Sequence, residues 1–295
     1  MKAQQQRSQT VKRRGQLASI CYRFSRNRMA MLGLVVFLIV VFFAVCAPLF
    51  ANYEEEAIRQ NVYEKFFNPG EGGHLLGTDA YGRDLFARII FGARLSLLIA
   101  LSTVGLSLVA GCLLGSLCAY YGGALDTIVM RIIDVFLALP MTLMAVTVVA
   151  ALGTSITNLI IALTISMIPP FVRIVRSAVL QVKGSDYIEA AIAYGAKDLR
   201  IILSHVLPNA IGPIIVQATL NLASVLLSVA ALGFIGLGVP SPQPEWGTML
   251  AESKAQMRYY PWQVIIPGVA IAVTVLAINL IGDGLRDALD PKLKD

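Results

Sequence analysis

Charge is scarce in this chain: 14% of its 295 residues are Asp, Glu, Lys or Arg, against 57% hydrophobic residues. Soluble domains carry about 25% charged residues, so this scarcity excludes an ordinary water-exposed surface and makes a bilayer the solvent. No GxxxxGK[ST] phosphate loop occurs, which leaves the chain without a recognisable nucleotide-binding element. His74 and His205 are the only histidines, and neither stands beside a carboxylate or cysteine cluster. A metal centre or a catalytic triad therefore has little to build on. Cys21, Cys46, Cys112 and Cys118 show no CxxC spacing, and three of them lie in apolar sequence, which points to packing rather than to metal or redox chemistry. No fixed-period repeat supports a solenoid, and the apolar segments are continuous rather than alternating, which excludes a membrane β-barrel. The expectation is a non-catalytic chain with no metal and no cofactor of its own.

Acidic residues are missing before Glu54, whereas Lys2, Arg7, Lys12, Arg13, Arg14, Arg23, Arg26 and Arg28 crowd the start. A basic leader ahead of an apolar span fixes the amino terminus in the cytoplasm and suits anionic headgroups of the lipid bilayer. No stacking aromatics are interleaved with these charges, so a nucleic-acid partner is the weaker reading. The leader, residues 1–28, is followed by a first span over 29–53 that is too long for a signal peptide and has no small-residue cleavage site. Residues 54–94 read as an exterior segment, 95–285 as a five-helix core, and 286–295 as a cytoplasmic tail. Within the core, a second span occupies 95–125 and two more fit between 127 and 172, broken at Gly153-Thr154-Ser155. A cytoplasmic loop runs from 173 to about 205, a fifth span from about 209 to 239, and a sixth from about 262 to 282, with Tyr260 and Trp262 in an interfacial belt. The expected fold class is all-α, polytopic, with about six spans and both termini inside.

The cytoplasmic loop is the most informative segment. Asp186 and Glu189 are spaced for a capping box, Ala190 and Ala191 favour helix, and Gly195 suits a left-handed helix stop. A second short helix over about 197–207 would end before Pro208. Such a helical hairpin is shaped as a knob for another protein, although a bland amphipathic linker on the membrane surface reads equally well from spacing alone.

Glu189-Ala190-Ala191, Gly195 and Leu207-Pro208 resemble the EAA loop of ATP-binding cassette (ABC) importer permeases, with His205 where the general motif often has isoleucine. Three further segments are similar to the dipeptide, oligopeptide and nickel permease branch. They are His74-Leu75-Leu76-Gly77-Thr78-Asp79 with Gly82-Arg83-Asp84, then Pro244-Glu245-Trp246-Gly247-Thr248-Met249-Leu250, then 279–287 ending at Asp290-Pro291. The resemblance covers about residue 29 to the carboxyl end. It implies the type I importer permease fold in the inner membrane, with 186–208 docking on a cytoplasmic ATPase. It further implies a homologous second permease subunit, two ATPase subunits that hold ATP and Mg, and an exterior substrate-binding protein. Alternating access would be driven from outside this chain, with peptides as the substrate class. Nickel chelates, glutathione or another small solute are rivals within the same machinery. An ion-coupled secondary carrier is the rival from another class, and scarce embedded titratable groups count against it.

Five smaller constellations carry further readings. Gln217, Asn221, Ser224 and Ser228 fall on one helical face, which lines a wet path or bonds to neighbouring helices. Arg131 and Asp134 are one turn apart, with Pro140 beyond them as a kink; an ion pair is favoured over a proton-carrier role. Gly233, Gly236 and Gly238 allow close helix approach or gating. Glu245 and Trp246 touch the binding protein, close the outer mouth, or anchor at the interface. Arg286 and Asp290 are spaced for a pair before Pro291 stops the helix.

Overall fold

The computed structural model describes residues 16–289, with side chains from 19 onward. The leader residues Lys2, Arg7, Lys12, Arg13 and Arg14, and the Asp290-Pro291 helix stop, lie outside the described residues. A short helix α1 (Gln16–Arg26) precedes α2 (Arg28–Val45), whose start is capped by the Asn27 side chain accepting from the Met29 and Ala30 amides. The first span is shorter than expected, because Cys46 separates α2 from a single turn, α3 (Ala47–Phe50), with Pro48 in its first positions. Residues 51–84 then form turns, a π turn at Tyr53–Ile58 and two 3-10 turns, with a single isolated bridge between Thr78 and Asp84.

The long helix α4 (Leu85–Tyr121) begins ten residues before the expected start of the second span. Asp84 caps it, its carboxylate accepting the Ala87 amide at 2.8 Å. The expected start followed the uncharged run after Arg94, but the preceding stretch is helical too, and the charge of Arg88 within it is matched inside the fold. Next, α5 (Gly123–Leu137) and α6 (Met141–Leu152) are bent by 87° at Pro140, which breaks the helix rather than kinking it. A proline has no amide to donate and crowds the preceding turn. The expected Arg131–Asp134 pair is not made: Asp134 accepts Arg173 Nη2 at 2.6 Å, and Asp126 takes Arg176 through two bonds of 2.6 Å. Those cross-helix pairs let α7 (Ile156–Lys183) run well past the expected end at 172, so the loop after it is correspondingly short.

After the hairpin described below, α10 (Leu207–Phe234) continues a helical run from Asp198, and α11 (Trp246–Ser253) and α12 (Trp262–Leu289) complete the chain. Five helical runs are long and apolar enough to span a membrane, and the bent α5–α6 pair makes a sixth if taken as one. The core is built from Leu97, Ala100 and Val104 of α4, Leu163 and Phe171 of α7, Leu226 and Val229 of α10, and Ile278 of α12. The two described ends of the chain meet, Asn27 Nδ2 donating to Asp287 at 3.3 Å, and α12 brings Leu289 within reach of Gly212 near the start of α10. Residues near both described ends and the hairpin therefore sit at one end of the bundle, and α11 with residues 51–84 at the other. At that other end Tyr260 stacks on Phe66 at 4.3 Å, and Gln263 donates to the Thr78 carbonyl.

Candidate functional site

Two short helices, α8 (Asp186–Ala193) and α9 (Asp198–Ile201), make the hairpin. The cap of α8 is Ser185, so Asp186 takes the first helical position and Glu189 falls one residue past the place a capping box requires. The box expected from Asp186 and Glu189 is thus not formed, and both side chains are exposed. Gly195, at φ +76°, ends α8 with the Ala196 amide on the Ala191 carbonyl and the Gly195 amide on Ile192. This is a Schellman closure, which needs a residue that enters the left-handed region freely.

Only one side of the hairpin is apolar and buried. Ile188, Ile201, Ile202 and Val206 pack on Val175, Ala178 and Val179 of α7 and on Ala119 and Tyr120 of α4, and each fully buried Ile contributes about 1.5–3 kcal/mol. Away from those contacts the hairpin exposes Ala190, Tyr187, Ile192, Leu199 and Tyr194, the last 93% exposed. Large apolar groups clustered on an exposed knob mark an interaction surface. Tyr194 and Leu199 escaped the sequence reading, and their signal was their position on either side of the Gly195 turn.

Two polar links hold the hairpin end together. Tyr120 Oη donates to Asp198 at 2.9 Å, and Lys183 Nζ donates to the carbonyls of Tyr120 and Ala119 at 2.6 and 3.3 Å. Pro208 does not stop a helix. A π turn over Ile202–Val206 carries the run through it, and Asn209 Nδ2 bonds the His205 carbonyl at 2.6 Å. A widened turn relieves the clash that a proline ring makes with the preceding turn.

On α10, Gln217 Nε2 donates to Asn221 Oδ1 at 2.8 Å, Ser224 to the Leu220 carbonyl and Ser228 to the Ser224 carbonyl. These bonds run along α10 rather than across to another helix, and Asn221 Nδ2 is buried without a partner. At the end of α10, Gly236 at φ +85° closes the helix, its amide on Gly233 and the Leu237 amide on Leu232. Close approach occurs instead at Gly233, where a Cβ would stand 2.6 Å from a Glu245 oxygen.

Glu245 and Trp246 are buried, 1% and 2% exposed, so neither is a docking surface nor an interfacial anchor. The reason is that α11 tucks against α10, α12 and α4. Glu245 caps α11 through the Gly247 and Thr248 amides and also accepts from the Thr248 and Ser96 hydroxyls, while Trp246 donates to the Ile89 carbonyl at 3.0 Å. Burial pushes the Glu245 carboxyl above the usual carboxylate range, and its hydrogen bonds oppose that rise. Elsewhere at this end, Arg83 and Arg88, both about 1% exposed, share Glu252 at 2.6 and 3.0 Å, Arg83 also meets Asp79 at 2.6 Å, and Arg88 reaches the Ala57 and Pro242 carbonyls. This four-charge cluster was not foreseen, because Glu252, which joins Arg83 and Arg88, is far from them in sequence.

An all-helical bundle with a helical knob at one end and a locked cap at the other matches a known class. Residues 111–295 match the family described as binding-protein-dependent transport system inner membrane component, and residues 15–69 match the N-terminal TM domain of oligopeptide transport permease C. The chain belongs to this family and is a multi-pass inner-membrane permease subunit of an ABC importer. It is 48% identical to the di/tripeptide transport system permease protein DppC of Pseudomonas aeruginosa, over 92% of this chain and 91% of that protein. It is 39% identical to the oligopeptide permease protein OppC of Bacillus subtilis, over 92% and 88%. The glutathione transport system permease protein GsiD of Escherichia coli is 43% identical over 92% and 89%. An inward-facing structure of the MetNI methionine ABC transporter shares the fold, with a TM-score of 0.56 at 22% identity over 70% of this chain and 98% of that one.

Proposed function

We propose that this chain forms half of a path for di- and oligopeptides, the other half being a homologous second permease subunit. The hairpin end faces the cytoplasm, where Ala190, Ala191, Tyr194, Gly195 and their neighbours seat in one of two ATPase subunits, and a binding protein delivers solute at the end that carries α11. ATP and Mg belong to the ATPases, since no phosphate loop occurs in this sequence. The observation that supports this reading most is the exposed aromatic and aliphatic side of a hairpin whose other side is fastened to α4 and α7. ATP closes the ATPase pair, the two hairpins follow, and the spans tilt between inward and outward openings. On the α10 face, exposed Ser224 and half-buried Gln217 border the path, while Asn221 and Ser228 are buried within the chain behind them.

The test is uptake of a labelled dipeptide by vesicles holding the complete transporter. Gly195→Pro and Glu189→Lys should leave the chain in the membrane and ATP hydrolysis running while uptake falls. Full uptake in both variants contradicts the assignment. Likeness to the glutathione permease supports a second reading, and excess glutathione that blocks dipeptide uptake would favour it.

A further inference from the structure

A moving hairpin acts on the spans only through the contacts that fasten it to them. The apolar ones, Ile188 and Ile201 against Ala119, Val175 and Val179, are non-directional and tolerate sliding. The directional ones gather at the end of α4, where Lys183 Nζ also reaches the Ala119 carbonyl and Asp198 also meets Tyr121, and they centre on Tyr120, next to last in α4. Its hydroxyl donates to Asp198 at the start of α9, and its carbonyl accepts Lys183 Nζ from the last residue of α7. The final carbonyls of a helix have no partner within it, and a cation there also suits the helix dipole. Lys183 additionally lies 5.7 Å from the centre of the Tyr120 ring, and that ring is buried. The ends of α4 and α7 and the second half of the hairpin thus meet at Tyr120.

What Tyr120 holds is an unbroken helix of 37 residues, about 55 Å long at 1.5 Å per residue. Its far end is fastened as well, Arg88 being bonded to Glu252 of α11 and to the Pro242 carbonyl. A rod held at both ends passes displacement from one to the other.

We propose that Tyr120, with Asp198 and Lys183, is the joint through which the hairpin drives α4, so that these three are positioning residues for transport. The proposal rests on the reading of the hairpin as the ATPase seat. Tyr120→Phe removes only the hydroxyl and keeps the ring. In proteoliposomes containing the complete complex, it should lower solute transported per ATP hydrolysed by about fivefold, with as much ATPase bound as in the wild type. Asp198→Ala should do the same, Asp198→Asn should retain much of the ratio because it keeps an acceptor oxygen, and Tyr120→Phe with Asp198→Ala should be no worse than either alone. A wild-type ratio in Tyr120→Phe overturns the joint, as does additive loss in the double variant. Should Tyr120→Phe fail to assemble, Asp198→Ala against Asp198→Asn decides. Tyr194→Asp is the separate arm: it should strip the ATPase from the complex, and an ATPase that stays bound counts against the docking reading rather than against the joint.

Discussion

Two glycines show why the same substitution has different costs at different sites. Gly195 sits at φ +76° with nothing near a would-be Cβ, whereas Gly233 has ordinary helical backbone but a Glu245 oxygen 2.6 Å from that position. Gly195→Ala should therefore cost about 1–2 kcal/mol of local hairpin stability through backbone strain alone, read as faster hydrogen exchange at the Ala196 amide with little change in melting temperature. Gly233→Ala should cost about 1–3 kcal/mol globally by overpacking, read as a lower melting temperature of the detergent-solubilised chain. Equal melting of the two variants would contradict this division. The helix stop at Gly195 was legible in the sequence because glycine after an alanine-rich turn has few other uses. The capping box was not, because a shift of one residue to Ser185 moves Glu189 out of reach, and no local pattern reports which of two adjacent polar residues takes the cap.

Among the elements, α4 and α7 depart furthest from expectation, and for one reason. Arg94 and Arg173 read as the edges of spans, yet the helices run past them: Arg88 in the first turns of α4 pairs with Glu252, and Arg173 and Arg176 of α7 pair with Asp134 and Asp126. Pairing between distant segments is invisible to hydropathy, which prices each charge as if it stood alone. Removing Glu252 leaves two buried guanidinium groups sharing only Asp79, and Glu252→Ala should lower stability by about 3–5 kcal/mol. Thermal melts should show this loss at both low and high salt, since a buried cluster is screened little; a loss seen at low salt alone would place the cluster in water. Along α10 the four-residue polar face was legible from its period, while its bonding along the helix was not. With Cys21, Cys46, Cys112 and Cys118 replaced, cysteines placed singly at 217 and 224 of the assembled transporter should react with a water-soluble thiol reagent and those at the buried positions 221 and 228 much less, and protection of all four would remove the path from this face.

At the scale of the whole molecule, the bundle leaves many large apolar side chains uncovered, among them Leu32, Leu38 and Phe42 on α2 and Leu106, Val109 and Leu113 on α4. Lipid and a second permease subunit cover such a surface in the proposed assembly, which is why composition alone identified a membrane protein. The five or six apolar spans followed from uncharged run lengths, whereas the burial of Trp246 and the four-charge cap depended on segments that only the tertiary fold brings together. The central claim is that the exposed side of the hairpin receives force from a separate ATPase. Its most direct test is cross-linking from Tyr194→Cys in membranes containing the complete transporter. The account predicts a bond to an ATPase subunit whose yield changes when ATP is added; a position that reacts only with reagents applied from the exterior, or that touches no ATPase in any state, would contradict it.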